Sequence, residues 1–206
     1  YLFSGPVIAA GGNGTPSFNL EHPLDPGVTY VGAVVVKAAI LSSPTNCAKV
    51  GGRITLVGPN VTNDGTIRTP DGQAILAAGL QVGFEAHSTS DPSLRGLDVY
   101  IGAVEDATAG AYAGSATQNG VVEATRGNIT IAGKQISQNG ALVSTTSVSL
   151  NGRIDLSAHY DAIQNPNYGA SGSGQASPFL HRKSGHISLG ADSLLRILPE
   201  WDSRET

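Results

Sequence analysis

A short phrase recurs along this chain: a glycine, a polar residue, then apolar side chains at the second and fourth positions beyond the glycine. It reads GRITLVG from Gly52, GQAILAAG from Gly72, GNITIAG from Gly127, GRIDLSA from Gly152 and GHISLGA from Gly185. A period of two places one buried face on each segment, as in a half-buried strand. The inward pairs are then Ile54 and Leu56, Ala74 and Leu76, Ile129 and Ile131, Ile154 and Leu156, and Ile187 and Leu189. A second phrase lies upstream of the first: NDGTIRT, QNGVVEA and QNGALVS, each with one apolar residue, Ile67, Val122 or Leu142, two positions beyond its glycine. In the first two copies another glycine follows seven residues later. In the third, Ser147 stands in its place, and Val148 and Leu150 are displaced by one, a slip that a bulge or corner absorbs.

Gly52 and Gly72 are 20 residues apart, as are Gly120 and Gly140. A repeat of this length, carrying two or three short strands, suits one coil of a solenoid, in which each coil buries its inward residues against the coils above and below. The expected fold is therefore all-β, a parallel β-helix. Asn119-Gly120, Asn139-Gly140 and Asn151-Gly152 are expected at its corners, where both residue types tolerate a left-handed backbone. The competing fold is an antiparallel sandwich or barrel with Asn-Gly hairpins, but that fold has no need to repeat a two-strand unit at a fixed period. The 27 glycines and 11 prolines, with 14% charged and 5% aromatic residues, argue against a helical bundle.

Gly72 and Gly127 are 55 residues apart, and Gly152 and Gly185 are 33 apart, which reads as one coil plus an excursion in each case. The excursions span about 81–116 and 159–184, within a β-helix over 47–206. Residues 1–46 match the repeat poorly and are expected to be a cap or earlier coils. Loops that leave one face of a solenoid are where binding residues collect. The candidates are His87, Arg95, Tyr100 and Tyr112 in the first excursion, and Tyr168, His181, Arg182 and Lys183 at a basic tip in the second. Aromatic faces would stack on a sugar or apolar surface, and the charged groups would orient a polar partner. The amides Asn63, Gln118 and Gln138, each two residues before a glycine of the second phrase, are expected to form a structural ladder along the stack.

No catalytic constellation emerges. The five histidines have no metal-ligand spacing, and Glu85, Asp91 and Asp98 lack the nonapeptide pattern of calcium-binding β-helices. Cys47 is the only cysteine, so it has no partner for a disulfide or a thiolate metal site. Enzymes that cut acidic polysaccharides on this fold need acids and bases in register on neighbouring coils, and the outward positions here are Thr, Ser, Asn, Gln and isolated charges. The expectation is a non-enzyme without a cofactor. A net charge of −4 and the lack of a basic run argue against nucleic acid as a partner. Methionine is absent, including at position 1, so the chain is expected to be a piece of something longer.

The stretches VGGRITLVGPNVTNDGTIRTPDGQAILAAGLQV (50–82) and NGVVEATRGNITIAGKQISQNGALVSTTSVSLNGRIDLSA (119–158) resemble the glycine-punctuated repeats of filamentous haemagglutinin-like exoproteins, the substrates of two-partner secretion in Gram-negative bacteria. GHISLGADSLLRILPEWDSRET, at 185–206, looks like their continuation. The resemblance implies a right-handed β-helix, exported through an outer-membrane transporter and displayed at the cell surface or secreted. Its role would be that of an adhesin stalk meeting a host-cell receptor or glycan. A toxin-delivery stalk and a polysaccharide-cleaving β-helix are the alternatives.

Overall fold

The computed structural model describes residues 2–3, 7–9, 33–42, 51–86, 95–106, 111–168 and 177–201, and every regular element among them is a β-strand. His22, Cys47, His87 and Asp91 lie outside the described residues. Three five-stranded sheets carry the fold. The first holds Leu2–Phe3, Arg53–Gly58, Gln73–Ala78, Asn128–Ala132 and Arg153–Ser157. The second holds Ala33–Val36, Asn60–Asn63, Ser115–Gln118, Gln135–Gln138 and His186–Leu189, and the third Ala39–Leu41, Thr66–Arg68, Val121–Ala124, Ala141–Thr146 and Leu194–Pro199. Within each sheet the strands are parallel and stack in chain order, and the chain visits the second, third and first sheets in turn. An antiparallel sandwich has no such pairing.

The registers carry the 20-residue period. Arg53 pairs with Gln73, Ser115 with Gln135 and Val121 with Ala141. The 55-residue spacing appears where Asn60 meets Ser115 and Gln73 meets Asn128. The strands Ala33–Val36 and Ala39–Leu41 pair in register with Asn60–Asn63 and Thr66–Arg68, so this part of the segment 1–46 is an earlier pass of the same kind.

The core is the column of inward side chains that alternation predicts. Ile54, Leu56, Ala74, Leu76, Ile129 and Ile131 of the first sheet meet Val61, Ala116 and Ile136 of the second and Ile67, Val122 and Leu142 of the third. Each fully buried Ile or Leu contributes about 1.5–3 kcal/mol relative to exposure. Ile154 and Leu156 are half-buried against this cluster because Arg153–Ser157 is an edge strand.

Two sequence expectations need correction here. GHISLGA belongs to the second sheet, where Ile187 lies opposite Ile136, and its side chains are not buried: Ile187 is 37% and Leu189 59% exposed, since no described strand lies beyond them. In the third copy of the second phrase, the strand runs on to Thr146 and a longer corner follows, closed by Ser147 N donating to Leu150 O at 2.8 Å. Val148 is then 78% exposed rather than inward.

The corner glycines have a different cause from the one expected. Neither Gly120, Gly140 nor Gly152 has a left-handed backbone. A Cβ on Gly120 would fall inside the carbonyl oxygen of Gly65 one pass below, and a Cβ on Gly72 inside that of Gly52. Glycine is needed because adjacent passes approach at strand spacing, about 4.8 Å, with backbone directly on backbone. The left-handed residues at the third-to-first corner are Asp71 (φ 55°) and Arg126 (φ 53°), stacked one above the other. Arg126 grips the Asp71 carboxylate with two nitrogens, Nη2 donating to Oδ2 at 3.0 Å, and also pairs with Glu200. That corner therefore places a buried carboxylate beside its cation, which makes up for the cost of the backbone conformation.

The amide ladder closes over one of its two steps. Asn63 Nδ2 donates to Gln118 Oε1 at 2.7 Å in full burial, whereas Gln138 Nε2 turns to the Gly140 carbonyl at 2.9 Å. Gln118 Nε2 and Gln138 Oε1, on facing sides of the second step, have no hydrogen-bond partner. A second ladder that the sequence did not suggest is continuous on the surface: Asn139 Nδ2 donates to Asn119 Oδ1, and Asn119 Nδ2 to Asp64 Oδ1, each at 2.8 Å.

Two substitutions test this account. Gly120→Ala, at a position with an ordinary φ, is expected to lose about 1–3 kcal/mol in urea unfolding by forcing passes apart; an unchanged midpoint would mean the close approach is not required. Gln118→Leu strands the buried Asn63 amide and is expected to cost about 1–3 kcal/mol by the same measurement.

Candidate functional site

The excursions do not scatter around the stack. Both leave the first sheet and rejoin the chain at the second, after Ala78 and after Ser157, and Val7–Ala9 follows Leu2–Phe3 out at the same corner. They therefore meet. Val82–Ala86 and Leu97–Ile101 form an antiparallel pair, with Val7–Ala9 parallel to the former. His159–Gln164 and Phe179–Ser184 form a second antiparallel pair, and Asp161 N reaches Gly102 O at 3.0 Å to join the two.

The inner face of this appendage covers the outer face of the first sheet. Val57, Ile75, Ala77 and Ala132 pack against Val82, Phe84, Val99 and Ile101, and all but Phe84 and Val99 are essentially inaccessible. The three central strands of the first sheet, Arg53–Gly58, Gln73–Ala78 and Asn128–Ala132, are thus buried on both sides. The local sequence signal was the unbroken apolar run from Ala74 to Ala78, since a strand covered on both faces does not alternate.

The opposite face of the appendage gathers the aromatic residues. Tyr100 lies 5.0 Å from Phe179 and stacks on His181 at 5.4 Å, and His181 in turn lies 5.4 Å from His159. The Tyr100 hydroxyl and Ser177 Oγ are 2.7 Å apart. Tyr100 and His181, predicted in separate excursions, are thereby brought together. Tyr100 is only 8% exposed, so most of its ring serves the joint between the excursions.

The other candidates are spread out. Arg182 and Lys183 lie near the base of the hairpin, and not at a tip, where Asp161 draws both in at 2.7 and 3.6 Å. Lys183 and Lys134 flank the Tyr160 ring at 5.9 and 5.5 Å, a pairing of cations with an aromatic face that sequence reading missed because Tyr160 sits in an alternating strand. Tyr168 is 37% exposed at the far turn, held by its N donating to Asn165 O at 3.0 Å. Tyr112 lies in the short strand Ala111–Tyr112, paired with Glu105–Asp106. Arg95 is remote from the aromatic cluster, lining a cleft at the start of the first sheet. His87 lies outside the described residues.

Between the appendage and the last strands of the first sheet runs a groove of about 230 Å³, lined by Asp98, Tyr100, Thr130, Arg153, Asp155 and Ser157. Arg153 forms an ion pair with Asp155 at 2.6 Å, although its Nε–H is not aimed well enough for a hydrogen bond, and lies 3.7 Å from Asp98. Glu85 sits directly across the strand pair from Asp98, and its carboxyl is raised by burial and then by the Asp98 charge. Only Asp98 of these two lines the groove. Such a surface can hydrogen-bond hydroxyl groups, and its charges are largely matched among themselves. Among the described residues no three His, Cys, Asp or Glu side chains converge as metal ligands.

Comparison of the chain with protein-family models, with curated proteins and with solved structures finds no match.

Burial pushes His181 down to about 4, with the neighbouring His159 adding to the effect, and its buried Nε2 has no hydrogen-bond partner. The folded state thus holds His181 neutral where an unfolded chain would protonate it near 6.5. Its contribution to stability is complete above pH 6.5 and is lost as pH falls toward 4. The raised carboxyl of Glu85 acts in the opposite sense at the acid end of that window. The urea midpoint is expected to fall between pH 6.5 and 5, and His181→Phe to flatten that slope; equal slopes would show that His181 is not held neutral.

Proposed function

We propose that this chain is a right-handed parallel β-helix segment of a large secreted bacterial surface exoprotein of the filamentous haemagglutinin-like kind, a stalk that mediates attachment and presents its contact surface from one side. The observation that carries the reading is the regular visit of the chain to three parallel sheets, with the two described excursions, after Ala78 and after Ser157, leaving at the same corner. The near-universal hand of parallel crossovers supports the right-handed reading. Stacked passes of this kind suit a fibre, because each new pass adds a sheet edge on which the next can pair. The repeat phrases at 50–82 and 119–158 support the same reading through their resemblance to exoprotein repeats.

In this reading an outer-membrane transporter exports the chain, and a host-cell receptor or glycan is met by the appendage. The hairpin surface around Tyr168, Arg182 and Lys183 and the groove at Asp98 and Asp155 would make that contact. The segment acts by holding this surface away from the cell and performs no catalysis of its own.

The first test is the mass of the native polypeptide at the cell surface and in culture supernatant. A product many times 21.0 kDa is expected, and a discrete product of that size would overturn the stalk reading. Beads coated with residues 1–206 are expected to adhere to epithelial cells well above albumin-coated beads, and to lose adhesion when 159–184 is replaced by a short Gly-Ser corner. Adhesion at the albumin level would reject the attachment role.

A further inference from the structure

Three corners of the stack carry the same dipeptide: Asn119-Gly120, Asn139-Gly140 and Asn151-Gly152. Asn followed by Gly is the pair in which the main chain can attack its own side chain, because glycine sets no Cβ in the way of its nitrogen. For that attack the glycine nitrogen must give up any hydrogen bond it makes, lose its proton and close on the asparagine Cγ. All three asparagines are exposed and all three glycines half-buried, so access to water does not separate the pairs. What separates them is how the glycine nitrogen is held.

Gly120 N donates to Asn63 O and Gly140 N to Gln118 O, each at 2.9 Å and each to the pass below. The side chains of Asn119 and Asn139 are tied into the surface ladder at the same time. Register sets Gly152 above Gly127 and Gly72, since Arg153 pairs with Asn128 and Asn128 with Gln73. At those two positions the nitrogen turns back three residues, Gly72 N to Thr69 O at 3.1 Å and Gly127 N to Ala124 O at 2.8 Å. The longer corner after Thr146 breaks the pattern. Its turn bond runs from Ser147 N to Leu150 O, and Gly152 N donates to no acceptor among the described residues. Thr146 Oγ1 donates to Asn151 Oδ1 at 2.9 Å, which draws electron density from Cγ and stabilises negative charge developing on that oxygen during attack.

We propose that Asn151 is a self-modification site, where the Gly152 nitrogen closes a succinimide ring that water opens to aspartate or to β-linked isoaspartate, while the stack protects Asn119 and Asn139. In the first step the bond from Gly152 N to Asn151 Cγ forms, the Cγ–Nδ2 bond breaks, and the nitrogen's proton leaves with Nδ2 as ammonia. Water then adds to one of the two ring carbonyls, and the ring bond that breaks decides which product results. No oxidation state changes, and water is the only co-reactant. Either product places a negative charge at the corner that feeds the edge strand Arg153–Ser157, and the β-linked one also lengthens the main chain there. The inference does not depend on the attachment role.

The test uses the wild-type chain, so no variant has to fold. Residues 1–206 are held in warm, mildly alkaline buffer, with and without enough urea to unfold them. Fragment-ion mass spectrometry locates each conversion of amide to acid, and isoaspartyl methyltransferase labelling marks the β-linked fraction. In the folded chain Asn151 is expected to convert about tenfold or more faster than Asn119 and Asn139, the effect of one hydrogen bond that must break before attack. In urea the three rates are expected to converge. Similar rates at the three sites of the folded chain, or conversion of Asn151 in urea only, would overturn the proposal. A difference that persisted in urea would trace the preference to neighbouring side chains and reject the structural account.

Discussion

Everything in this molecule depends on one distance, the backbone-to-backbone approach of successive passes. Parallel strands stack about 4.8 Å apart, and the corners must keep that spacing although no regular ladder runs through them. Glycine makes this possible by removing the atom that would collide with the carbonyl of the pass below, at Gly72 above Gly52 and at Gly120 above Gly65. Once the corners hold, inward side chains fall into columns, and a residue as small as Ala74 between Ile54 and Ile129 becomes fully inaccessible. Polar groups caught in the columns are then served from above and below: Ser144 Oγ donates to the Ala124 carbonyl at 2.9 Å, 20 residues earlier, and Asn63 meets Gln118.

The three sheets are not equivalent, and the difference positions the functional surface. The inner strands of the second and third sheets alternate buried with half-buried or exposed residues, as a sheet facing water on one side must. The central strands of the first are buried on both faces because the excursions leave from its end and fold back over it. A lateral insertion thereby gains a core of its own, made of Val57, Ile75 and Ala77 below and Phe84, Val99 and Ile101 above. What this arrangement costs is aromatic surface. Tyr100 and Phe179 are spent on the joint between the two excursions and Tyr160 packs in part against the core beneath the appendage, which leaves Tyr168 the more exposed aromatic ring.

Charge is distributed by the same logic of stacking. At the third-to-first corner, left-handed Asp71 and Arg126 lie in adjacent passes, so a residue pair 55 apart in sequence forms a bidentate contact with Glu200 added from a later pass. Along the polar row of strand-start residues in the first sheet, Arg153 has acquired carboxylate neighbours from its own strand and from the excursion, whereas Arg53 has no ion pair among the described residues. The imbalance is local, within a chain of net charge −4.

Strand positions were legible in the sequence wherever one face is buried, because alternation around Ile129, Ile131, Val122 and Leu142 reports burial directly and the glycine spacing reports the register. The breaks in the period marked where the chain leaves the stack, after Ala78 and after Ser157, although Ser115 and Ala116 already belong to the second sheet. Local pattern could not reveal that both excursions leave by one corner and pack on each other, since the contacts of Tyr100 with His181 and of Arg126 with Asp71 join residues remote in the chain. It also misassigned GHISLGA, because strands of different sheets carry the same alternation and only the pairing with Gln135–Gln138 distinguishes them. The sequence by itself determined strand, period and inward face, which are matters of neighbouring residues and one repeated distance. The tertiary structure decided which sheet is covered, which aromatic residues are spent and which arginine is matched, because these depend on what another part of the chain brings to the same surface.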